Sequence, residues 1–199
     1  MHYHILGLLC IAASGAQAAD LRVAVVDGAQ QPVADAVVSA TSVNPPPREP
    51  HKASIDQVHR QFVPQLSVIQ AGTAVSFPNS DNIRHSVYSF SHAKTFTLKL
   101  YAGTPASPVV FDQPGVVVLG CNIHDSMVAW VLVTDTPYYT RTAADGTATL
   151  TGLPAGDYRL RAWNNSMADE QNGEPLHVGN EPLNPRQLHV DAQPLAAQH

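Results

Sequence analysis

The stretch that most limits what this chain can become is residues 121–127, reading CNIHDSM. It lies between two apolar runs, VVVLG at 116–120 and VAWVLV at 128–133. Both runs are rich in β-branched residues, bounded by turn formers and too short for ordinary helices, which predicts strands. If the two strands pair, Cys121, His124 and Met127 are gathered on one tight loop. Soft sulfur donors with an imidazole suit copper rather than magnesium or calcium, and a His₂Cys set with a long axial Met is the donor set of blue-copper electron-transfer sites. The loop supplies three of those four groups, so a second imidazole has to come from elsewhere in the chain.

The cysteine arithmetic points the same way. Residues 1–18 read as an export signal: an apolar core at 5–13 precedes the small-x-small sequence Ala16-Gln17-Ala18. The core is too short to span a bilayer, so cleavage after Ala18 or Ala19 predicts an exported, periplasmic product with no membrane span. Cys10 leaves with the leader, and Cys121 becomes the only cysteine of the product. An unpaired thiol in an oxidising compartment needs an explanation, either inert burial, an intermolecular bridge or a metal. With His at +3 and Met at +6, metal ligation is the explanation preferred here. A thiolate bound to a cation is deprotonated at neutral pH and is protected from oxidation.

The second imidazole is assigned to His85 by position. The loop PNSDNIR at 78–84 is rich in residues that bond their own backbone, and it delivers His85 to the start of a strand, HSVYSF at 85–90. A strand-start side chain is held more rigidly than a loop one, as a metal site needs. His59, in an ambiguous segment, and His92, in a turn, are the alternatives. Each imidazole ligates through one nitrogen, so the other requires a hydrogen-bond partner or water.

Along the chain, strands are predicted at 21–26, 36–41, 62–69, 73–77, 85–90, 95–100, 108–111, 147–150 and 158–163, besides the two that flank the ligand loop. Edge strands are expected at 176–178 and 187–190, and a frayed end beyond them. Residues 54–62 are polar and ambiguous, compatible with one short helical turn. The run NPPPREP at 44–50 and DTP at 135–137 punctuate the chain, with roughly seven strands between them, the count of a small Greek-key β-sandwich. The sixteen prolines and twelve glycines fit an all-β chain.

Two resemblances follow from these residues. VSFPNSDNIRHSV (75–87) together with PGVVVLGCNIHDSM (114–127) resembles the cupredoxin family of plastocyanins, amicyanins and pseudoazurins, with the short amicyanin-like His-x-x-Met spacing. The resemblance implies one copper ion held by His85, Cys121, His124 and Met127. The IDQ, FVP, FPNSD, GCNIH and DTPYY segments are similar to exported plastocyanin-like proteins of the methylamine utilization type. Three positions depart from the family pattern: Ser86 stands where Asn usually follows the first His, Val and Leu replace an aromatic pair before the Cys, and Asp125 follows His124 in place of Pro. The flanks, LRVAVVDGAQQPVADAVVSAT (21–41) and TRTAADGTATLTGLPAGDYRLRAW (140–163), resemble the two halves of a carboxypeptidase regulatory-like domain, a transthyretin-like β module. The expected organisation is therefore a cupredoxin-like copper domain at 51–135 inserted into an accessory β module formed by 19–50 and 136–199, the alternative being a single enlarged sandwich.

The formal charge of −5 is spread along the chain and offers no basic footprint for nucleic acid. The expected function is single-electron transfer with redox partner proteins such as cytochromes or dehydrogenases, rather than catalysis. Copper binding for transfer without redox shuttling shares the same ligands. A cysteine-nucleophile enzyme would need a base within hydrogen-bond reach and oxyanion donors. The lone C-x-x-H is only half of a zinc-finger-type ligand set.

Overall fold

The computed structural model describes residues 18–45, 51–167, 170 and 173–191. The expected leader, apart from Ala18, lies outside the described residues, as do most of the proline run at 44–50 and the end expected to fray. The chain is all-β, with seventeen strands and no helix among the described residues. Among the described residues no helix is long and apolar enough to cross a membrane.

In chain order the strands are β1 (Ala19–Val26), β2 (Val37–Ser42), β3 (Lys52–Ser54), β4 (Asp56–Val58), β5 (Gln61–Val63), β6 (Leu66–Gln70), β7 (Thr73–Ser76), β8 (His85–Ser91) and β9 (Lys94–Tyr101). They continue with β10 (Val109–Phe111), β11 (Gly115–Gly120), β12 (Val128–Thr134), β13 (Tyr139–Arg141), β14 (Thr147–Leu153), β15 (Gly156–Trp163), β16 (Glu174–Val178) and β17 (Arg186–His189).

The strands sort into sheets by their place in the chain. From the middle come a five-stranded sheet in the order β6-β12-β11-β8-β9, a three-stranded sheet β10-β7-β3 and the hairpin β4-β5. From the two ends come the sheets β14-β1-β17 and β13-β2-β15-β16. Thus β1 pairs with late strands on both sides, antiparallel to β14 and parallel to β17. It begins at Ala19.

Two apolar cores follow. Phe77, Val87, Phe111, Leu119 and Val131 fill one between the middle sheets, giving a β-sandwich, and Cys121 and Met127 lie in it. Leu21, Val38, Leu150, Leu160 and Trp163 fill the other. In the second core β15 alternates as a half-buried strand should: Tyr158, Leu160 and Ala162 point in, Asp157 and Arg159 point out.

β11 and β12 do not alternate, and the structure gives the reason. Val117, Leu119, Ala129, Val131 and Val133 face the sandwich core, while Val116 and Leu132 face the other core. Strands covered on both faces read as continuous apolar runs. The two strands that bracket the ligand loop are therefore a wall shared by both cores.

Two expectations need correction. Residues 54–62 form no helical turn: they end β3 and build the β4-β5 hairpin, with Val58 paired to Gln61. The strand expected over 62–69 is broken at Pro64-Gln65 into β5 and β6. β13, a three-residue strand paired to β2, was not expected at all.

Candidate metal centre

β11 and β12 pair in register from Gly115↔Val133 to Gly120↔Val128, which makes residues 121–127 the loop of a hairpin. Within it the Met127 N–H donates to the His124 carbonyl at 2.9 Å, closing a turn that brings Met127 back into the core. Gly120 precedes the cysteine for a steric reason: a Cβ there would lie 2.6 Å from the Tyr88 ring on β8. β8 pairs with β11 through Gly120↔Tyr88, which sets His85, at its first position, beside the loop.

The four predicted residues stand as follows. His85, Cys121 and His124 each offer a donor atom, and these atoms lie within 4.8 Å of one another. His85 is fully buried and its Nδ1 is 3.8 Å from Cys121 Sγ. The two imidazole rings are 5.1 Å apart between centroids. His124 Nδ1 is buried with no hydrogen-bond partner. Met127 is buried in the same core as Cys121. Of the alternatives, His59 and His92 are exposed and neither belongs to this cluster.

The surroundings favour a thiolate. Burial alone would push the Cys121 thiol up, but hydrogen bonds, led by those from the backbone N–H groups of Ile123 and Ser86, outweigh it. Together they bring it from 9.0 down to about 6. Ser86 has a double part, since its hydroxyl donates to Cys121 Sγ at 3.7 Å and accepts the Asn122 N–H at 2.9 Å. Ser86 thus ties the strand that begins at His85 to the 121–127 loop.

A thiol held near 6 in the folded chain, against 9.0 when unperturbed, stabilises the fold fully above the higher value. That contribution disappears as pH falls through about 6. In the metal-free protein, ultraviolet thiolate absorbance should titrate with that midpoint. Ser86→Ala should move it up by about one unit, the worth of one charge-assisted hydrogen bond.

One residue of the site was not singled out from the sequence. Asp81 Oδ2 is 2.7 Å from His85 Nε2. Asp81 also accepts the backbone N–H groups of His59 at 2.6 Å and Arg60 at 2.9 Å. The Arg60 N–H is the largest influence holding its carboxyl below the usual range, opposed by burial and reinforced by His85. An ionised carboxylate only accepts, so His85 Nε2 is the donor and Nδ1 is left with its lone pair toward Cys121.

No family model and no curated protein matches the chain. Among solved structures it is similar to a Cu-containing nitrite reductase from Thermus scotoductus SA-01, at 24% identity and a TM-score of 0.40, over 48% of this chain and 25% of that one. The chain therefore spans about a quarter of that protein's length. It is also similar to a purple cupredoxin from Nitrosopumilus maritimus, at 23% identity and a TM-score of 0.37, over 41% of this chain and 99% of that one. A mutant of amicyanin in its oxidised state is similar at 19% identity and a TM-score of 0.37, over 41% of this chain and 80% of that one.

Proposed function

We propose that this chain is an exported protein that holds one copper ion through His85 Nδ1, Cys121 Sγ, His124 Nδ1 and the Met127 thioether, and that it transfers single electrons. The observation that carries this is the meeting of two imidazoles and a thiolate-favouring cysteine within 4.8 Å, one imidazole nitrogen among them being buried and unpartnered. A buried polar atom without a partner costs about 1–3 kcal/mol, and a cation bound at the ring nitrogen relieves it. Two nitrogens, a thiolate and a thioether form the blue-copper donor set, and such donors bind copper more tightly than zinc or magnesium. When bound, copper supplies a one-electron couple.

The chain's own residues do the rest. Ser86 holds the Cys121 sulfur and the Asn122 backbone in one arrangement, and β8 and the β11-β12 hairpin fix the donors before any ion arrives. Small rearrangement between two oxidation states is what rapid electron transfer needs. His124 is partly exposed and Ile123 beside it is exposed, so a redox protein comes closest at this edge. The sheet partition supports residues 51–135 as the copper unit within a β module formed by both ends of the chain.

The test is metal analysis of the exported protein together with its visible spectrum. We expect one copper per chain and a thiolate-to-Cu(II) charge-transfer band that is bleached by reduction, restored by oxidation and lost on chelation. No thiolate band in the protein given Cu(II) would end the assignment. N-terminal sequencing should begin at Ala19 or Asp20.

A further inference from the structure

The segments IDQ at 55–57 and FPNSD at 77–81 contribute no ligand, yet the structure binds them tightly to each other. Asp56 accepts the Ser80 N–H at 3.2 Å and the Ser80 hydroxyl at 2.7 Å. Gln57, fully buried, donates through Nε2 to the Pro78 carbonyl at 3.1 Å. Asn79 donates through Nδ2 to the carbonyls of Ile83 at 2.9 Å and Tyr101 at 3.0 Å, and its Oδ1 accepts the Asp81 N–H at 3.1 Å. The loop before His85 is thus held against the β4-β5 hairpin on one side and β9 on the other.

The hairpin reaches further. Its two-residue tip, His59-Arg60, has positive φ at both positions, 52° and 59°, as a type I′ turn requires. Neither residue is the Asn or Gly that such a turn favours. Both of their N–H groups end on the Asp81 carboxylate. The third donor to that carboxylate is His85 Nε2. Asp81 has 11% of its side chain exposed and His85 none, so solvent screens this pair weakly.

We infer that Asp81 is a positioning residue of the copper site, with the β4-β5 hairpin as its brace: it fixes His85 as the Nε2-protonated tautomer and biases the bound copper toward Cu(II). This rests on the copper assignment above. A carboxylate behind a ligating imidazole orients the ring and makes its coordinating nitrogen more basic. A fixed negative charge one ring away favours the more highly charged of two oxidation states. The hairpin N–H groups hold the carboxylate in place whichever state the ion adopts.

Redox titration of the copper-loaded full chain tests this in the wild type and in Asp81→Asn, which keeps the shape and one acceptor but removes the charge. We expect the ratio of Cu(II) to Cu(I) affinity to fall about tenfold, the lower end of what such outer partners contribute. That is a rise in potential of about 59 mV for one electron. A merely structural part would lower the unfolding midpoint and leave the potential where it was. A fully loaded D81N protein with an unchanged potential overturns the inference.

A second measurement stands apart from the variant's folding. At about pH 9, well above the ordinary imidazole range, side-chain nitrogen NMR of the metal-free wild type should show His85 protonated at Nε2. The Nδ1–H tautomer overturns the inference even if D81N cannot be loaded. Failure of the copper assignment itself looks different, because the wild type then takes up no copper.

Discussion

Cys121→Ser should erase the visible band of the copper-loaded protein completely and lower its copper affinity by more than about 100-fold, the upper end of what loss of an outer partner alone costs. The band arises from sulfur-to-copper charge transfer, and Cys121 is the only cysteine among the described residues. A serine hydroxyl is a hard, neutral donor that stays protonated at neutral pH, whereas this thiol is already held at about 6. The fold should survive, because the exchange is nearly isosteric and the surrounding N–H and O–H donors of Ile123 and Ser86 retain an oxygen acceptor. Circular dichroism should therefore be unchanged while absorption and copper uptake collapse. A C121S protein that keeps the band would place the copper on other residues.

Much of this centre is legible in the primary structure, and the reasons differ from residue to residue. Cys121, His124 and Met127 stand out because three soft or imidazole donors sit between two strand-forming runs, where a pairing of the strands gathers them on one loop. His85 stands out because an Asx-rich loop ends on it. β11 and β12 are recognisable as strands, but their continuous apolar character becomes meaningful only when two cores are seen to cover their two faces. Asp81 was hidden because its importance lies across the chain, in a hairpin tip that carries no turn signal. His59-Arg60 lacks the Asn-Gly signature of its turn, and the missing local preference is supplied by a carboxylate twenty-odd residues away, which no local pattern records. The same absence left residues 54–62 ambiguous, compatible with one short helical turn. Ser86 shows the converse: read from the sequence as a departure from the cupredoxin pattern, it ties the strand that begins at His85 to the 121–127 loop through a short side chain.

Trp163→Ala should lower stability by about 3–5 kcal/mol, the usual cost of emptying a fully buried indole site. With an m-value of about 3 kcal/mol/M, the urea midpoint falls by about 1–2 M. Trp163 is fully buried in the core built by the chain's two ends, and its Nε1–H donates to the Met167 carbonyl at 3.2 Å, so the truncation also strands an acceptor. The consequence for the metal centre follows from the shared wall. Val116 on β11 and Leu132 on β12 pack into the core of Trp163, and the same two strands carry the loop that bears Cys121, His124 and Met127. Loss of that core removes the support behind the ligand hairpin. The visible band and the backbone signal should therefore melt together in the variant, both displaced by the same amount of urea. If the backbone signal splits into two steps while the copper band keeps its wild-type midpoint, the sandwich that holds the metal is stable without the module around it and the wall carries no coupling.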